Sequence, residues 1–157
     1  MQALTKFCDD FTNLSNVRTF IKGSIEARTT STGRLSREDF VNEDKLGRKR
    51  CRIPVAQREV IYSIYEQYQD WLVSEGLWDS CDQITSLLRR IEHVKSSDQT
   101  LYEERIRRHK IYLDECQDYI QIEVLLFFMM SGPGSLFLAG DSAQSIVEGT
   151  DFRFEEV

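Results

Sequence analysis

Between residues 56 and 75 the apolar positions fall three and four apart: Val60, Ile61, Ile64, Tyr65, Tyr68, Trp71 and Leu72. That spacing draws one stripe along an α-helix, and Gly76 stands where such a helix ends. A second helix is predicted from Asp79 or Ser80 through Ile84, Leu87, Leu88 and Ile91. Upstream, FCDDFTNLSNVRTFI has the spacing of one or two short helices, and RTTSTGRLS at 28–36 reads as a polar loop. SREDF at 36–40 predicts a helix start, with Ser36 as N-cap and Asp39 in a weak form of the capping-box role. SSDQTLYEERIRRHK at 96–110 is a charged connector with partial helical character.

The pattern changes at residue 110. KIYLDE is a short apolar run cut off by acids, YIQIEVLLFFMM at 119–130 suits a mostly buried helix, SGPG at 131–134 is a turn cluster, and SLFLAGD is a second short apolar run. The order strand, loop, helix, turn, strand, loop predicts a βαβ unit with two parallel, buried strands. The fold class is therefore α/β: a mainly helical part joined near 105–110 to a piece of parallel sheet. No internal repeat or low-complexity tract interrupts it. A βαβ piece without neighbouring strands exposes two sheet edges, which predicts poor solubility in isolation.

With 157 residues, 41% hydrophobic and 29% charged, the chain has the composition of a globular protein. Its longest apolar run, IEVLLFFMM at 122–130, is too short to span a membrane, and MQALTKFCDDFTNL lacks the sections of a signal peptide. Cys8, Cys51, Cys81 and Cys116 are scattered, with no C-x-x-C pair. They read as reduced thiols of an intracellular protein, in the nucleus or cytoplasm, rather than as a zinc site or disulfide framework. The net charge of −6 is uneven: residues 1–110 hold 19 Lys/Arg against 17 Asp/Glu, whereas 111–157 hold Arg153 against nine acids. A uniformly basic nucleic-acid binder is not indicated, and the acidic end suits a bound cation better than a phosphate backbone.

The chemistry is concentrated in two acidic knots, DECQD at 114–118 and GDSAQ at 140–144, each closing an apolar run. In an open parallel sheet, ligands bind beyond the carboxyl ends of the strands, so Asp114 and Asp141 are expected at a mouth and not in a core. An Asp-Glu pair after an apolar strand is the Walker B arrangement of nucleotide hydrolases. The first acid serves a magnesium ion, and the second orients or deprotonates the attacking water. Gln144 can bond water and a terminal phosphate through the two faces of its amide. Either knot alone is a weak motif; the pair, separated by an apolar helix and strand, is far more specific.

The pair resembles motifs II and III of UvrD/Rep-type superfamily 1 helicases, on DECQD and LAGDSAQSI at 138–146. IKGSIEA, GRLSREDF, GRKR, QREVIYSIYEQY, GLWDSCDQITSLLRRI and FRFEEV are similar, in that order, to the helicase region of the tetratricopeptide and ankyrin repeat-containing protein 1 family and its fungal relatives. The resemblance implies a fragment: residues 1–108 as a helical insertion of the 1B type, and residues 109–157 as part of a RecA-like P-loop NTPase lobe. It implies Asp114 as ligand of the Mg²⁺ of Mg-ATP, Glu115 as general base, and Gln144 as sensor of the terminal phosphate. Single-stranded nucleic acid is the implied partner, and Asp118 and Asp141 hold loop geometry. The 157 residues contain no G-x-x-x-x-G-K-[ST] loop, and Val147 stands where many members carry an aromatic. FRF at 152–154 is read as supplying a displaced aromatic or arginine. This chain by itself is therefore expected not to hydrolyse ATP, and a non-catalytic helicase-like scaffold is the alternative.

Other features have plainer readings. Tyr62, Tyr65, Tyr68, Trp71 and Trp78 could stack on bases, but helical spacing favours packing. GRKRCR at 47–52 could touch phosphate or serve as a nuclear address; a solvated basic loop is the better reading. RIRRHK at 105–110 suits a charged helix end. His93 and His109 are isolated, and Cys116 occupies a variable position of the motif.

Overall fold

A computed structural model describes residues 17–24, 27, 33–47, 51 and 53–141. The chain divides between Asp79 and Ser80 into two compact units.

In the first unit, α1 (Arg37–Val41) and α2 (Val55–Ser74) are joined by a loop, and a π-type helical turn covers Val17–Lys22. Ser36 caps α1 as expected, accepting from the Asp39 N–H at 3.1 Å. The return bond of a capping box is replaced: the Asp39 carboxylate accepts the Ser36 hydroxyl at 2.6 Å and Lys45 Nζ at 2.6 Å. The half-buried Asp39 carboxyl lies below its ordinary range because Lys45 and then Ser36 donate to it.

Gly76 ends α2 with φ +64°, donating to Val73 O at 3.2 Å while Leu77 N–H donates to Leu72 O at 2.8 Å. This is the paired bonding of a Schellman motif, in which only glycine takes the left-handed position without strain. The buried stripe of α2 runs through Ile61, Tyr62, Tyr65 and Leu72, and Val60 faces out instead, 61% exposed. Tyr62 and Tyr65 are packing residues, edge-on with centroids 5.1 Å apart, whereas Trp78 is exposed. With Phe20, Ile21, Leu35, Phe40 and Leu46 they form the core of this unit.

Arg58 lies inside that core with no exposed surface. Its Nε donates to Ile53 O at 3.0 Å, Nη1 to Phe40 O at 3.1 Å and Leu46 O at 2.7 Å, and Nη2 to Cys51 O at 3.3 Å. The fork of a guanidinium can reach acceptors in several directions at once, so one side chain gathers the loop between α1 and α2 around itself. Nothing in the apolar periodicity pointed to this residue.

The second unit opens with α3 (Ser80–Ser97), and helical backbone continues over residues 99–106. Strand β1 (Ile111–Leu113), helix α4 (Gln121–Met130) and strand β2 (Leu136–Leu138) follow. The strands pair in parallel, Ile111 with Leu136, Tyr112 with Phe137 and Leu113 with Leu138. The predicted βαβ order is thus present, and the rest of the described chain is mainly helical. At the turn, Ser135 N–H donates to Gly132 O at 3.0 Å, with Pro133 and Gly134 between and Gly134 at φ +67°; proline then positive-φ glycine is the type II pattern. Helix α4 begins at Gln121, two residues later than the apolar run, because Glu123 accepts the Ile120 N–H at 2.9 Å and fixes the start there. Its apolar face meets α3 through Cys81, Leu88, Ile120 and Ile122. Tyr102 OH donates to Met129 O at 2.7 Å.

Candidate functional site

The parallel ladder does not stop at the strand ends. Ala139 N–H donates to Leu113 O at 2.8 Å, and Cys116 N–H donates to Ala139 O at 2.9 Å. These bonds hold the DECQD turn beside the chain that leaves β2. Asp114 and Glu115 follow β1 and are exposed, as is Asp141 after β2. All three sit at the carboxyl ends of parallel strands, where sheet geometry favours a ligand.

Glu115 adopts φ 53°, ψ 40°, and is the one non-glycine with positive φ among the described residues. A left-handed L-residue costs about 1–2 kcal/mol, and such strain survives only where the surroundings hold it. Three bonds do so. Glu115 N–H donates to Asp114 Oδ1 at 3.0 Å, Asp118 N–H donates to Glu115 O at 3.0 Å, and Gln117 Nε2 donates to Glu115 Oε2 at 2.6 Å.

Gln117 is only 4% exposed, and its other amide atom, Oε1, accepts the Asp141 N–H at 3.0 Å. Partners at both ends fix which atom is oxygen. Gln117 thus holds the loop with its side chain, whereas Asp118, expected in that role, bonds the turn through its backbone N–H. The Asp118 carboxylate accepts no bond from described residues, and its Oδ1 is buried without a partner. Asp141 enters this linkage through its backbone. Gln144, like Val147 and FRF at 152–154, lies outside the described residues, as do most of GRKRCR and of the N-terminal run. Sequence reading passed over Gln117 because its residue type matched the motif without announcing a role; its placement three residues after the first acid, in a turn, was the available signal.

Cys116 is fully buried, and burial pushes its thiol up, keeping it protonated; a nucleophile needs the thiolate. His93 and His109 are exposed, and no group of three or more His, Cys, Asp or Glu able to hold a metal occurs among the described residues. Magnesium does not require one: it takes one or two carboxylates and completes its shell with water and phosphate oxygens. Asp114 fits that demand, with Oδ1 engaged by Glu115 and Oδ2 accepting no bond from described residues. No described helix is long and apolar enough to cross a membrane.

The UvrD/REP helicase N-terminal domain matches residues 13–151, so the chain belongs to the UvrD/REP helicase family. Among curated proteins it is similar to the TPR and ankyrin repeat-containing protein 1 of Homo sapiens, 37% identical over 142 residues. That alignment takes in 90% of this chain and 4% of the relative, so the chain spans a small part of the protein it matches. No solved structure matches it.

Proposed function

We propose that this chain is part of the ATP-hydrolysing lobe of a superfamily 1 helicase, with residues 1–108 as a helical 1B-type insertion and 109–157 as part of a RecA-like P-loop NTPase lobe. Asp114 would hold Mg²⁺ through its free Oδ2, and Glu115 would accept the proton of the attacking water. Gln144 would sense the terminal phosphate. Bound Mg-ATP would supply the free energy for movement along single-stranded nucleic acid, with the remaining parts of both lobes contributed by a longer protein inside the cell, in nucleus or cytoplasm. One observation carries this reading: two exposed acids on a strained turn at the end of β1, bonded through Gln117 to the loop that leaves the parallel neighbour β2.

The test is Mg²⁺-dependent ATP hydrolysis by the protein of the complete reading frame, with and without single-stranded nucleic acid. Glu115→Gln should lower kcat by about 100- to 10,000-fold, the range for losing a general base, while nucleotide binding persists. If the complete protein binds partners but hydrolyses no ATP, the reading fails and the family membership reflects a non-catalytic scaffold.

A further inference from the structure

We propose that Gln117 is a positioning residue that ties the Glu115 carboxylate to the Asp141 backbone, so that the two acidic loops move as one. Among the described residues, the last backbone bond between these loops joins Cys116 to Ala139. One step beyond, the link passes to a side chain. Gln117 spans the gap by donating to Glu115 Oε2 at 2.6 Å and accepting from Asp141 N–H at 3.0 Å. A carboxamide suits this place because it carries a donor and an acceptor on one planar group; a carboxylate would face Glu115 with a like charge, and an apolar side chain would bond to neither. At 4% exposure, the amide has little water to substitute for either partner.

The backbone on the far side is fitted to this amide. A Cβ at Gly140 would lie 2.5 Å from Gln117 Oε1 and 2.7 Å from Cys116 Sγ. Glycine is thus what lets the β2 loop approach closely enough for the bond. Glu115, meanwhile, sits in a left-handed conformation that leaves its carboxylate dependent on a local tether. A displacement of the loop after β2 is therefore transmitted through one amide to the carboxylate after β1.

The catalytic consequence rests on the hydrolytic function proposed above; the mechanical link does not. Both are tested in the protein of the complete reading frame with Gln117→Met, which keeps length and loses both bonds, and Gln117→Glu, which keeps the acceptor and loses the donor. Both variants should lower kcat for ATP by about 100-fold, as for a misplaced catalytic group, with KM changed by less than about twofold. Neither should lower it further in a Glu115→Gln background, since Gln117 acts through Glu115. Hydrogen exchange of the Asp141 amide should accelerate in Gln117→Met and stay slow in Gln117→Glu. Wild-type kcat in either variant, losses that add to that of Glu115→Gln, or failure of both variants to fold would overturn the proposal. If the wild-type protein hydrolyses no ATP, the functional reading has failed, and exchange at Asp141 decides alone: equal rates in all three proteins would remove the link as well.

Discussion

Replacing Arg58 should destabilise the first unit, and the structure gives a size for the effect. The guanidinium is fully buried and donates to the carbonyls of Phe40, Leu46, Cys51 and Ile53. Among the described residues no salt bridge pairs it with a carboxylate. In Arg58→Met the aliphatic stem is retained and the donors vanish. Each stranded buried carbonyl costs about 1–3 kcal/mol. Part of that is returned because a charge no longer has to be desolvated, a penalty of several kcal/mol. A net loss of about 2–4 kcal/mol results, a large share of the roughly 5–15 kcal/mol that stabilises an ordinary domain. Arg58→Lys should be no better: an ammonium keeps the charge but offers its donors from one point and cannot reach carbonyls spread around the fork. Both tryptophans, Trp71 and Trp78, belong to this unit, so urea unfolding followed by tryptophan fluorescence reports on it directly. Dilute protein keeps association out of the measurement. If Arg58→Met stays within about 0.5 kcal/mol of wild type, the scatter of an ordinary surface substitution, or if Arg58→Lys matches wild type, the carbonyl hub is not what organises the loop.

Two further outcomes can be checked on the same chain. Burial pushes the Tyr62 phenol up to about 12, with its OH donating to Leu35 O at 3.0 Å. The folded state therefore favours the neutral phenol: this stabilisation is complete below the unfolded value of about 10 and is lost as pH rises through the folded one, at up to about 1.4 kcal/mol per pH unit. Urea midpoints measured from pH 9 to 12 should fall above pH 10 in wild type and fall less in Tyr62→Phe; identical slopes would count against it. At the sheet, Tyr112 and Phe137 stack at 4.9 Å while 67% and 45% exposed, on a two-stranded sheet with both edges unpaired among the described residues. The 157-residue chain should therefore self-associate, and Tyr112→Lys with Phe137→Lys should reduce this; sedimentation of the unaltered chain as a monomer would refute it.

What could be read from the sequence and what could not divide along a physical line. Periodicity reports which side of an element avoids water, so α2, α3 and the strand–helix–strand order were legible, as was Gly76 as a stop. Short-range chemistry located the ends less well: the Ser36 cap was foreseen, but Asp39 turned to Ser36 and Lys45 because its side chain is one methylene shorter than the glutamate of a full capping box. The acids at 114 and 115 were legible because an apolar run ended on them. Arg58 and Gln117 were not, for a common reason. Each is a polar residue whose partners are backbone groups or a neighbouring acid brought near by the fold, and a carbonyl or amide N–H is the same at every position of a sequence. Such residues announce themselves only as polar side chains in apolar surroundings, where an unmatched group would be too costly to keep. The same logic applies in reverse to Asp118: its Oδ1 is the one buried acceptor of the motif without a partner among the described residues, in the place where such a group is costliest to leave unmatched.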